Sequence, residues 1–155
     1  GPVVVGVDGS ATSHAAALLA ADMAGSFGSG LVVVHAWSEV EQVARGLHRR
    51  TEDWAELARQ GGAVLEAEIQ GVIALHPGLA VEDELVHDTA VRALLRRAEE
   101  ARALVVGHHR RRAARGLGLG STSRALVEFA PCPVIVTPPV LEPAAGNVQA
   151  VGVTR

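Results

Sequence analysis

The residues best placed to do chemistry are Gly107-His108-His109-Arg110 and, nine residues on, Gly120-Ser121-Thr122-Ser123. A phosphate needs hydrogen-bond donors in a concave arrangement, and the exposed amides of a helix start supply them with help from the helix dipole. Gly107 and Gly120 let the backbone come close to an anion. The three hydroxyls of Ser121, Thr122 and Ser123 either cap the helix or turn toward the ligand. Arg110 has two opposed effects on such a loop: its side chain obstructs close approach, and its guanidinium can fork onto phosphate oxygens. Arg111, Arg112 and Arg115 make the stretch basic, in keeping with either anion binding or a solvated loop. His108-His109 is a poor metal motif, because adjacent residues rarely converge on one ion. At the other end of the chain, Asp8-Gly9-Ser10 follows an apolar run. There Asp8 either accepts hydrogen bonds from a ribose or base, or forms an Asx turn that caps the next helix.

The elements that must position these groups alternate along the chain. Val3-Val4-Val5-Gly6-Val7 is a continuous β-branched run, and Leu31-Val32-Val33-Val34-His35-Ala36 is a second run of the kind expected of a buried strand. Between them, residues from about 12 to 27 are Ala/Leu-rich, with hydroxyls in front and Gly28 and Gly30 behind, which predicts a helix. A polar segment from Trp37 to about Arg50 precedes a long amphipathic helix over Thr51 to Leu75. A strand near Ala80 to Val86, a helix from about Thr89 to Arg102 and the strand Ala103 to Val106 follow. After the loop come a short helix from Ser121 to Phe129 and the strand Val134 to Val136. This alternation predicts an α/β fold, a parallel sheet with helices on both faces, whose ligands sit beyond the carboxyl ends of the strands. Asp8, Ala36 and Gly107 occupy those ends.

Composition narrows the function classes. The chain has 155 residues, 48% of them hydrophobic and 20% charged, which suffices for one well-buried domain. Every Lys/Arg position is arginine, which excludes a Walker A lysine or a Schiff-base lysine. Aromatic residues make up 3% and the net charge is -3, so neither a base-stacking platform nor a polyanion-binding surface is expected, and nucleic acid is not an expected partner. No apolar run approaches the ~20 residues that span a bilayer, so no membrane association is expected. The lone Cys132, between Pro131 and Pro133, reads as a small buried hydrophobe in a cytoplasmic protein. No signal peptide is read at the start, and Gly1-Pro2 is given no functional role. The Gly-x-Gly-x-x-Gly pattern of dinucleotide folds is absent.

Taken together, Val3-Val4-Val5-Gly6-Val7-Asp8-Gly9-Ser10, Val33-Val34-His35-Ala36, Leu104-Val105-Val106-Gly107, Gly120-Ser121-Thr122-Ser123 and Cys132-Pro133-Val134-Ile135-Val136 resemble the universal stress protein family over residues 3 to 138. The resemblance implies a doubly wound five-stranded parallel sheet in the order 3-2-1-4-5 and a homodimer formed through the last strand. ATP-binding members carry Gly, two residues, Gly, nine residues, Gly and Ser or Thr. Gly107, Gly120 and Ser121 match, and Arg110 replaces the second glycine. By the same resemblance, Asp8 contacts the nucleoside, the Ala36 backbone reads the adenine edge, and Gly107 with the Gly120-Ser121-Thr122-Ser123 turn holds the phosphates. Val7, Ser10, Val106, His108 and Arg110 complete the expected cofactor-binding set. His87-Asp88-Thr89-Ala90 departs from the family's Gly-x-Pro-Ala, with Asp88 or Thr89 able to cap the next helix.

The implied ligand is ATP or AMP, with Mg2+ only alongside ATP. The function is an adenine-nucleotide module of the stress response. With no positioned general base and no acidic cluster for Mg2+, hydrolysis is slow at most. The competing reading is a dimeric protein-interaction module of the same fold that binds no nucleotide; an electron-transfer flavoprotein-like domain is a third. The domain is expected to cover residues 1–139. Residues 140–155 form a tail in which Asn147-Val148-Gln149-Ala150-Val151-Gly152-Val153 echoes the first strand, either as the start of a second repeat or as a chance Val/Gly run.

Overall fold

The computed structural model describes residues 1–38, 54–108 and 118–140. The elements run β1 (Val3–Gly6), α1 (Ala11–Phe27), β2 (Leu31–Trp37), α2 (Trp54–Leu75), β3 (Val81–His87), α3 (Ala90–Ala98), β4 (Ala103–Gly107), α4 (Ser121–Phe129) and β5 (Val134–Thr137). The strands form one sheet in the order β3-β2-β1-β4-β5, and every neighbouring pair is parallel. The expected α/β architecture and strand order are both present.

Strand side chains alternate between two faces, which explains why the central strands are apolar throughout. Val3, Val5, Val7, Leu31, Val33 and Val105 pack beneath α1 and α2. Val4, Val32, Val34, Leu104 and Val106 pack beneath α3 and α4. A fully buried valine or leucine stabilises the fold by about 1.5–3 kcal/mol. Helix α1 meets the sheet through Ala16, Ala17, Ala20, Ala21 and Ala24, a stripe at helical spacing that brings its backbone close to the strands. Helix α2 buries Gly61, Leu65, Glu68 and Val72. The buried Glu68 carboxylate is met by His14 Nδ1 of α1 at 2.8 Å, and Asp22 of α1 meets His76 Nε2 at 3.2 Å.

Helix boundaries follow the local chemistry. Gly28 ends α1 at φ 61, where a residue without Cβ carries no steric penalty. Asp88 and Thr89 both act at the start of α3: Asp88 Oδ1 accepts from Thr89 N at 2.8 Å, and Thr89 Oγ1 accepts from Arg92 N. Helix α3 stops at Ala98, four residues before the expected Arg102. Glu-Glu-Ala-Arg contains no helix breaker, so the stop comes from elsewhere in the fold. The amides of Glu100 and Ala101 turn to the carbonyls three residues back, and Arg102 N donates to Pro2 O at 2.8 Å. Cys132 is half-buried against the α3/α4 side of the core, where desolvation pushes its thiol pKa up.

Candidate functional site

The candidate site arises because β1, the middle strand, is shorter than its neighbours. Its pairing with β2 stops at Gly6↔Val34, whereas β2 continues beside β3 to Trp37↔His87 and β4 continues beside β5 to Gly107↔Thr137. A notch therefore opens at the carboxyl edge, at the point where the chain winding reverses.

Main-chain direction fixes what faces this notch. Val3 N donates to Gly30 O and Val7 N to Val34 O, both at 2.9 Å, so the even-numbered groups of β2 point toward β1. Leu31 N donates to Ala80 O at 2.9 Å, which places the odd-numbered groups toward β3. The N–H and C=O of Ala36 thus face the β1 side at a level where β1 has already left the sheet. Across the notch, Leu104 N and His108 N donate to Pro133 O and Thr137 O, both at 2.9 Å. Even-numbered groups of β4 therefore serve β5, and the main chain of Gly107 faces the departing end of β1.

The exit of β1 is a hydrogen-bonded turn. Asp8 Oδ1 accepts from Ser10 N at 3.0 Å, and Asp8 N donates to Ser13 Oγ at 3.2 Å. Gly9 lies at φ 81, a region that favours glycine. Ser10 is the N-cap of α1, its Oγ accepting from Ser13 N at 3.1 Å. The Asx turn is therefore formed, with the Asp8 carboxylate at the exposed rim of the notch.

Gly107 is constrained by packing as well as by any ligand. A Cβ there would stand 2.8 Å from Thr12 Cγ2 and 3.1 Å from the backbone carbonyl carbon and oxygen of Thr12. Thr12 Oγ1 also accepts from Val140 N at 3.0 Å, so the segment after β5 crosses the first turn of α1.

Helix α4 begins differently from α1 and α3. Its N-cap is Gly120 (φ -60, ψ 161), with no side-chain cap hydrogen bond, so Ser121, Thr122 and Ser123 lie inside the first turn and none is the cap. Ser121 is exposed and Ser123 buried. The structure thus places Val7, Asp8, Ser10, Ala36 and Gly107 around the carboxyl end of β1, whereas Val106 turns its main chain to β5 and its side chain into the core. The amides of Val7, Asp8 and His108 are engaged within the fold. Arg110, with His109, Arg111, Arg112 and Arg115, lies outside the described residues, as do the segment 39–53 and the tail echo at 147–153.

Several site neighbours carried no role in the sequence reading. His35 Nδ1 lies 2.8 Å from Val7 O. Trp37 stacks on His87 with ring centroids 4.2 Å apart, and Trp54 meets both edge-on. The available signal was the presence of a histidine and a tryptophan inside an otherwise aliphatic buried strand, since each has a polar group that needs a partner there. Among the described residues no three His, Cys, Asp or Glu side chains converge to hold a metal ion, and no helix is long and apolar enough to cross a membrane.

Comparison with known proteins agrees with this architecture. The model of the universal stress protein family matches residues 1–138. A universal stress protein of Mycobacterium tuberculosis is 38% identical over 144 residues, covering 92% of this chain and 45% of the relative. Another from the same organism is 37% identical over 136 residues, covering 87% and 44%. The chain spans about half the length of these curated relatives. Among solved structures, a universal stress protein from Archaeoglobus fulgidus superposes with a TM-score of 0.65 at 25% identity, covering 87% of this chain and 91% of that one. A universal stress protein solved in complex with cAMP gives a TM-score of 0.62 at 23% identity, covering 88% and 94%. The Archaeoglobus fulgidus protein in complex with dAMP gives 0.62 at 23%, covering 87% and 95%. With the sheet order, the notch and the family match in agreement, this chain belongs to the universal stress protein family.

Proposed function

We propose that the chain is an adenine-nucleotide-binding module of the stress response, taking ATP or AMP in the notch at the carboxyl end of β1, between β2 and β4. The observation that carries this reading is the pairing of two unfilled main-chain features at one edge of the sheet. One is the donor–acceptor edge of Ala36, suited to a purine; the other is the first turn of α4, which starts at a glycine and has no side-chain cap, suited to phosphate. Solved relatives of the same fold bound to cAMP and dAMP support an adenylate in particular. Asp8, at the rim, takes the ribose. The nucleotide acts as a ligand, and any turnover is slow.

Calorimetric titration with ATP, AMP and adenosine tests the reading. ATP and AMP should bind at least about tenfold more tightly than adenosine, the difference measuring the anion site at α4. Equal affinities, or no binding by any of the three, would refute it.

A second reading, a dimeric interaction module without nucleotide, draws on the internally engaged amides of Val7, Asp8 and His108. Both readings share dimerisation through β5. Its sheet edge carries Val134, Ile135, Val136 and Thr137, and Val127 and Phe129 of the adjacent α4 are exposed. By contrast the opposite edge, β3, carries Glu82, Asp83 and Glu84, charges that discourage strand pairing. Sedimentation analysis of the Ile135→Glu variant should show a shift from dimer to monomer.

A further inference from the structure

We propose that His35 is a positioning residue that holds the main-chain edge of Ala36 open for the base of the bound adenylate. The inference rests on the adenine-nucleotide reading above and gives a role to a side chain that reading leaves unused. If the β1–β2 ladder continued one more rung, Ala36 N–H would donate to Val7 C=O. That rung is missing: pairing stops at Gly6↔Val34, although Val7 N still donates to Val34 O at 2.9 Å. His35 Nδ1 occupies the vacant acceptor instead, 2.8 Å from Val7 O. A carbonyl only accepts, so Nδ1 carries the proton. A side chain thus takes the place of a backbone donor, and the Ala36 N–H is left facing the notch.

The ring cannot swing away easily. Gly61 of α2 lies against it, so closely that a Cβ at that position would stand 3.1 Å from His35 Cδ2 and 2.8 Å from Leu85 Cδ1. Helix α2 therefore pins the imidazole, the imidazole fixes the Val7 carbonyl, and the turn into Asp8 starts from that fixed point. If the imidazole is removed, Val7 O lacks a donor in a half-buried setting, a costly state. The nearest replacement is the missing rung itself. Ala36 N–H would close onto Val7 O and be lost to the ligand.

Amide hydrogen exchange by NMR, combined with ATP titration, tests this in the intact chain. In the free wild-type protein the Ala36 amide should exchange at least about tenfold faster than that of Val34, which is bonded within the ladder. In His35→Leu it should become protected without ligand, and ATP affinity should fall about tenfold. His35→Asn, whose side-chain amide reaches the same acceptor, should restore both the fast exchange and the affinity, which a role in packing alone would not produce. A protected Ala36 amide in the free wild-type protein overturns the proposal whether or not any variant folds. So does unchanged Ala36 exchange in a folded His35→Leu, or failure of Asn to rescue. If ATP does not bind the wild type, the nucleotide reading fails by itself, and the exchange data still decide whether His35 holds the Ala36 edge open.

Discussion

Replacing Gly107 with alanine separates packing from ligand binding at the residue most easily assigned to phosphate. The added Cβ would lie 2.8 Å from Thr12 Cγ2 and 3.1 Å from two backbone atoms of Thr12. Rotating the Thr12 side chain relieves only the first contact, and it breaks the 3.0 Å bond from Val140 N to Oγ1, a loss of about 1 kcal/mol. The backbone contacts remain, so α1 must shift on a sheet it touches through five buried alanines. Overpacking of this kind costs about 1–3 kcal/mol. Thermal unfolding without ligand should therefore show Gly107→Ala melting about 2–12 °C below the wild type, at roughly 2–4 °C per kcal/mol for a chain of this size. Gly107→Ala combined with Thr12→Ser, which removes Cγ2 and keeps the hydroxyl, should regain part of the loss. A Gly107→Ala protein as stable as the wild type would refute the packing argument and leave the glycine explicable by ligand alone.

Other outcomes follow from the same geometry. Ser10→Ala removes the α1 cap and should cost about 1 kcal/mol in urea unfolding. Asp88 has a carboxyl pKa below its ordinary 3.8, first through the hydrogen bond from Thr89 N and then through Arg92 and Arg96. Its contribution is therefore present above that ordinary value and lost as pH falls through the lower folded value. Asp88→Asn should be less stable than the wild type at pH 7, and the gap should close in strong acid. Desolvation holds the Cys132 thiol above its usual pKa, so a thiol reagent should modify it more slowly than a free cysteine at pH 8. Arg110→Gly should gain ATP affinity if the guanidinium obstructs the loop, or lose about 1.5–3 kcal/mol if it clamps phosphate; no change would dismiss both roles.

Much of the fold was legible because the sequence writes it locally. The valine runs of β1, β2 and β4 mark strands buried on two faces, and Gly28 and Thr89 mark helix ends. The end of α3 was not legible: Ala98 to Arg102 favours helix, and the stop depends on a bond to Pro2, far away in sequence. At the site, residue types pointed to Asp8, Gly107 and the α4 turn. The notch itself depends on β1 stopping while its neighbours continue, a relation among three strands that no single segment encodes. His35 sat inside the family-like Val33-Val34-His35-Ala36 stretch without a role, because its partner is a main-chain oxygen 28 residues earlier. Likewise the Gly107 requirement comes from Thr12, across the sheet edge.

Occupation of the notch by an adenylate, with its base on Ala36 and its anionic end on α4, is tested by mapping amide shifts in an NMR titration with ATP. The largest changes should fall at Ala36, Asp8, Gly107 and Ser121 to Ser123. Changes confined to the crevice of Gly25, Gly28, Gly30 and His76, or no changes at saturating ATP, would contradict it.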